Sequence, residues 1–95
     1  MKIEMQKYGN LLNNRPSAKE AVLRMYQVIN ASGGNPSEII LDFRGVEILT
    51  PSYADEMLTQ LGIKFGKDKI KTINAETEIV KATLREVENL SKHGK

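Results

Sequence analysis

Hydroxyl, carboxylate and guanidinium groups crowd into one stretch of the chain, residues 39–58, with the sequence IILDFRGVEILTPSYADEML. Thr50 and Ser52 flank Pro51, and Asp55 and Glu56 follow within one further turn. A hydroxyl where a helix begins suits phosphorylation, because free backbone N–H groups and the helix dipole both attract an anion. Asp55 and Glu56 oppose it, since a phosphate carries about −1.5 to −2 charges at neutral pH. Arg44 or Arg15 could supply the offsetting cation, but sequence alone places neither beside Ser52. Two readings of Ser52 follow: a cap or ordinary surface hydroxyl, which is the more economical, and a regulated one.

Other chemistry is thinly supported. Asp55 and Glu56 are neighbours on a helix and point about 100° apart, so they do not share a site as an acid–base pair. Dipole complementation and solubility account for them. Asp42 lies in an apolar run and would project at the carboxyl edge of a sheet, where ligands of open α/β sheets bind; a hydrogen-bonded structural carboxylate is the simpler reading. Arg15 fits a carboxylate pair and a partner contact equally well. His93 is the one histidine and the chain has no cysteine, which leaves no His-based catalysis, thiolate metal site, disulfide or Cys nucleophile. The glycines do not have phosphate-loop or dinucleotide-binding spacing. Lys64, Lys67, Lys69 and Lys71 read as a solvated face, with anion or nucleic-acid contact as the second reading. Tyr8, Tyr26 and Tyr53 are too scattered for a stacking platform, and Tyr53, beside the helix start, is the aromatic expected at an interface.

Several elements must position these groups. Residues 2–8 alternate polar and apolar, as in a half-exposed edge strand whose Lys2 and Lys7 discourage edge-to-edge pairing. Gly9-Asn10 signals a turn, after which Leu11-Leu12 is either a short strand or a core plug. Ser17 and Glu20 have capping-box spacing, and Ala18, Ala21, Val22, Met25, Val28 and Ile29 recur on one helical face. Gly33-Gly34 stops that helix and Asn35-Pro36 keeps it from resuming. The run from Ile39 to Phe43 is expected to be a strand buried on both faces. Arg44-Gly45 breaks it, and Val46, Ile48 and Leu49 follow as a second apolar segment. Two caps compete for the second helix. Thr50 with Pro51 at the first helical position is preferred over Ser52 with Asp55 three residues on. In the first arrangement the Ser52 hydroxyl stays exposed. Asp55 and Glu56 are expected in the first turn. Ala54, Met57, Leu58, Leu61 and Phe65 form the buried face, and Gly62 or Gly66 ends the helix. Ile70, Lys71, Thr72 and Ile73 make a strand and Asn74 caps a third helix. The apolar face of that helix is Ile79, Val80, Leu84, Val87 and Leu90, and residues 91–95 are a frayed tail.

Ninety-five residues make one domain with one core. The net charge of +2 is too small to imply nucleic acid. No apolar run approaches the ~18 residues that span a bilayer, and no signal-peptide core precedes the first strand. A cytoplasmic protein with no membrane insertion is the expectation. The order β(β)-α-β-α-β-α argues for an α/β layer fold.

The segment LDFRGVEILTPSYADEML, residues 41–58, resembles the core of STAS domains, the family of sulphate-transporter cytoplasmic domains and anti-sigma-factor antagonists. It is more similar still to the STAS-like domains of unknown function, where a similar strand precedes a Phe/Tyr-Ala-Asp-Glu helix start. Arg15 and Ala18 fit that subgroup as well. The resemblance implies a single α/β domain over residues 1–95 with the anti-sigma-factor-antagonist-like fold. That fold is a small mixed sheet of about four strands, with three main helices packed mainly on one face. It also implies a non-enzymatic module without cofactor or metal. Such a module binds a partner, often a histidine-kinase-like ATPase, through the loop before the second helix and the helix itself. In antagonists a serine at the helix start, preceded by an acidic residue, accepts the phosphate. Here Thr50 stands at the acidic position and Pro51 at the acceptor position, leaving Ser52 and Thr50 as candidate phosphoacceptors. Arg44, Thr50, Ser52, Tyr53, Glu56 and Arg15 are the candidate partner-binding residues. A small-ligand or nucleotide-responsive domain is the second functional reading. Nucleic-acid binding through residues 64–71 is the third and least supported.

Overall fold

The computed structural model describes residues 1–93, with side chains through residue 88. Strand β1 (Lys2–Glu4) runs into a 3-10 turn, Met5–Tyr8, before strand β2 (Leu11–Leu12) and helix α1 (Arg15–Ala31). Strands β3 (Ile39–Asp42) and β4 (Ile48–Leu49) precede helix α2 (Pro51–Phe65). Strand β5 (Ile70–Ile73) and helix α3 (Glu78–His93) complete the order.

Every strand pairing among the described residues is parallel, so the expected mixed sheet is not what forms. Five strands form two sheets instead of about four in one: β1-β3-β5, with β3 central, and the pair β2-β4. The division has a local cause. The 3-10 turn after β1 and the Arg44-Gly45 turn after β3 interrupt the β1–β3 pairing together. Gln6 lies against Gly45, where a Cβ would come within 2.5 Å of the Gln6 Cδ. Pairing then resumes as β2–β4, with Leu11 opposite Ile48 and Leu12 opposite Leu49. β1 is therefore shorter than its alternation suggests, and Leu11-Leu12 is a strand whose Leu12 also fills the core.

Strand alternation sorts the side chains. Ile3, Ile39 and Leu41 are buried, and Ile70 and Thr72 beside them are half-buried. In the opposite rows Lys2, Glu4, Lys71 and Ile73 are exposed and Ile40 is half-buried. The core is aliphatic and methionine-rich, with Met5, Met25 and Met57 fully buried beside Phe43, Leu49 and Leu61. Such side chains fill irregular gaps where aromatics are scarce.

α1 begins one turn earlier than the Ser17–Glu20 spacing predicts. Asn14 is the cap, its Oδ1 accepting from the Ser17 N–H at 2.8 Å, so Ser17 donates its backbone where a capping hydroxyl was expected. Asn14 sits at φ 138° and ψ 154°, a region that residues other than glycine rarely adopt. Asn14 thus holds a costly backbone geometry in exchange for the cap, and Pro16 falls within the first turn, where its missing N–H is harmless. The C-terminus is a Schellman stop: the Gly33 N–H donates to Asn30 O and the Gly34 N–H to Ile29 O. Val28, assigned to the inner face, is exposed; Ala18, Ala21, Val22, Met25 and Ile29 carry the packing.

α3 is capped by Thr77, whose Oγ1 accepts from the Val80 N–H at 3.1 Å. Asn74 instead adopts a left-handed conformation at φ 58° and spends its side chain on Asp42. Ile79 is exposed, while Val80, Thr83, Leu84 and Val87 are buried. The helical backbone continues through His93 where a frayed tail was expected. The Leu90 and His93 side chains, and residues 94–95, lie outside the described residues.

Candidate functional site

The loop between β3 and α2 is held from below and from one side. Phe43, Val46 and Leu49 point into the core, which leaves Arg44, Glu47 and Ile48 exposed between them. The Val46 N–H donates to Phe43 O at 3.0 Å, closing the turn through Gly45 at φ 83°. The connection between β5 and α3 then clamps this turn. The Gly45 N–H donates to Glu76 Oε1 at 3.1 Å and the Thr77 hydroxyl donates to Glu47 O at 3.1 Å. The Thr83 hydroxyl donates to Leu49 O at 2.7 Å. These three clamping residues could not be found from sequence, since each lies about thirty residues from its partner and has an ordinary local context.

Asp42 anchors the start of the loop. Its Oδ1 accepts from the Arg44 N–H and from Asn74 Nδ2, both at 3.0 Å, and its Oδ2 lies 3.6 Å from Lys2 Nζ. It is the structural carboxylate that the simpler reading expected. The Arg44 N–H, then Asn74, hold its carboxyl below the usual value of 3.8 against the opposing effect of burial, with Lys2 and Arg44 adding attraction. Because the folded value is depressed, this contribution to stability is present above the unfolded value and lost as pH falls through the folded one. The urea midpoint is therefore expected to fall as the pH is lowered from about 5 into the acid range below the usual carboxylate value, and Asp42→Asn to flatten that fall. Identical pH profiles for parent and variant would remove Asp42 as a source.

At the start of α2 the preferred cap is the one present. Thr50 Oγ1 accepts from the Tyr53 N–H at 3.3 Å, and Pro51 occupies the first helical position. Ser52 is exposed, and its hydroxyl makes no hydrogen bond among the described residues. Tyr53 does not stand at the surface, where an interface aromatic was expected. Its side chain is 1% exposed and buried in the core, so this conformation offers no aromatic to a partner there. Its hydroxyl has no hydrogen-bond partner among the described residues. Burial, helped by Tyr8 and opposed by Arg24, pushes its pKa up to about 12.

Asp55 and Glu56 fall beyond the first turn, at the fifth and sixth helical positions, too far in to complement the dipole strongly. Instead both meet Arg15, the first residue of α1. Its Nη1 donates to Asp55 Oδ2 at 3.0 Å and to Glu56 Oε1 at 3.4 Å. The Asp55 hydrogen bond foremost raises the Arg15 pKa. Glu56 also accepts from Gln60 Nε2 at 3.3 Å. Arg15 thus comes to the Ser52 helix, whereas Arg44 sits at the other end of the loop. Lys64 of the basic run lies 5.4 Å from the Tyr26 ring centroid, a cation–π contact, so it is partly engaged within the chain.

Residues 23–80, well over half the chain, match the family model described as a STAS-like domain of unknown function. The chain belongs to this family. The matched span covers the whole candidate loop and α2 of the STAS-like domain, together with the C-terminal half of α1 and the start of α3. No curated protein and no solved structure matches the STAS-like chain. Among its described residues, no helix is long and apolar enough to cross a membrane.

Proposed function

We propose that this STAS-like domain is a non-enzymatic regulatory module that binds a protein partner through the loop and the N-terminus of α2, and that Ser52 is the regulated hydroxyl. The observation that carries the reading is the set of exposed positions Arg44, Glu47, Ile48, Pro51 and Ser52 on a loop fixed by hydrogen bonds from three separate elements. A surface already held in place loses little conformational entropy on binding. It offers a cation, an anion, two apolar contacts and a hydroxyl within a few residues. Arg15 and Glu56 flank the surface, and Thr50 supports it from beneath as the cap. A histidine-kinase-like ATPase is the partner class that the resemblance to anti-sigma-factor antagonists suggests, and such a partner would supply the phosphoryl group.

The test uses the tagged full chain as bait in its native cell, with mass spectrometry of the captured protein and of Ser52 and Thr50. Ser52→Asp and Arg44→Glu should each weaken capture by roughly tenfold, about 1.4 kcal/mol, while leaving the urea midpoint unchanged. Undiminished capture by both variants would move the interface elsewhere on the domain.

A further inference from the structure

Resting on the reading of Ser52 as a modified hydroxyl, we propose that Arg15 is the counter-charge for a phosphate on Ser52, sharing its guanidinium between that phosphate and Asp55. Ser52 precedes Asp55 by three residues and Glu56 by four, spacings that put all three on one face of α2. Arg15 reaches this face from a different helix, 3.0 Å from Asp55 and 3.4 Å from Glu56. Both contacts use Nη1, and among the described residues Nε and Nη2 make no hydrogen bond. A guanidinium carries five N–H donors in a planar fork that fits phosphate oxygens two at a time. The donors left over are therefore the ones a phosphate would take, without Asp55 being released.

Arg15 also has room to turn. Its side chain is 48% exposed and that of Asp55 is 50% exposed, so the pair is solvated and of the kind that contributes little when isolated. Glu56, with an 11% exposed side chain and a second donor in Gln60, keeps a partner if Arg15 moves. Thr50 does not compete as the acceptor, because its Oγ1 is committed to the Tyr53 N–H.

In the modification, the Ser52 Oγ attacks the terminal phosphorus of a nucleoside triphosphate delivered by the kinase. The Oγ–P bond forms and the bond from phosphorus to the bridging oxygen breaks. The hydroxyl proton passes to a base of the kinase and the nucleoside diphosphate leaves. A group of about −1.5 to −2 charges then stands one turn from two carboxylates, with Arg15 the cation already on that face.

The experiment places phosphoserine at position 52 of the full chain and follows its second ionisation by phosphorus NMR. The midpoint should be lower in the parent than in Arg15→Gln by about half a pH unit or more, with Arg15→Lys restoring part of the difference. Asp55→Asn removes a neighbouring negative charge and so lowers the midpoint whatever Arg15 does. The informative comparison is Asp55→Asn with and without Arg15→Gln, where the double variant should titrate higher. Equal midpoints in parent and Arg15→Gln overturn the proposal, and so do equal midpoints in Asp55→Asn with and without Arg15→Gln, a comparison that stands even if Arg15→Gln alone fails to fold. No partner protein enters this measurement. Undiminished capture by Ser52→Asp would count against the interaction reading alone, and an unshifted midpoint against the role of Arg15 alone.

Discussion

Phe43→Ala should lower the unfolding free energy by ~3–5 kcal/mol, a large part of the roughly 5–15 kcal/mol that holds a domain of this kind together. Phe43 is fully buried at the carboxyl end of β3, and its N–H donates to Ile73 O at 2.9 Å across to β5. Removing the ring opens a cavity in the core next to the start of the candidate loop, whose Gly45 turn is closed by a hydrogen bond to the Phe43 carbonyl. The backbone bonds remain possible, so the cost is chiefly lost packing. Urea unfolding followed by circular dichroism measures it, and a change below about 1 kcal/mol would mean that Phe43 is not a principal support of the core. Under conditions where the variant is still folded, amide resonances of residues 44–50 should broaden or shift before those of α1.

Thr83→Val should cost about 1–3 kcal/mol despite preserving shape. The Thr83 hydroxyl donates to Leu49 O at 2.7 Å in a buried site. On β4, the Ile48 and Thr50 N–H groups bond to Asn10 O and Leu12 O of the neighbouring strand. By alternation the Leu49 carbonyl faces away from β2 and takes its partner from α3. Valine fills the same space and offers no donor, which strands that carbonyl beneath the entry to α2. Thr83→Ser keeps the donor and loses a methyl group, so it should be the milder change. If valine proved no more damaging than serine, the carbonyl would have to find another donor.

Local signals made the helices legible. The Gly33-Gly34 stop and the Thr50-Pro51 start each rest on the conformational limits of one or two residues, and such limits act wherever the residues stand. The strand at Ile70–Ile73 was legible for a similar reason, a short β-branched run between polar breaks. What sequence could not supply was contact across the chain. The Ser17–Glu20 spacing is a genuine capping signal, yet Asn14 took the role three residues earlier. Asn74 has the composition of a cap, but the buried Asp42 carboxylate made a stronger claim on its amide. Tyr53 looked like an interface aromatic because it neighbours exposed residues in sequence, although at the third position of α2 it turns inward. Arg15 was left between a carboxylate and a partner, and the pairing of α1 with α2 brings it two carboxylates that lie some forty residues away in sequence.

The all-parallel topology bears on how the chain comes off the ribosome. Parallel strands cannot be joined by a hairpin, so no strand pair among the described residues can close from its immediate surroundings. β1 must wait for β3, and β3 lacks its second neighbour until residue 73 has emerged. Until then the nascent polypeptide displays Ile39-Ile40-Leu41 with unpaired backbone groups, a segment prone to association. α1 and α2 can form in the meantime, but helices alone do not cover that segment's hydrogen-bonding edge. Folding should accordingly be slow for a domain of this size, with helical signal appearing well before strand protection.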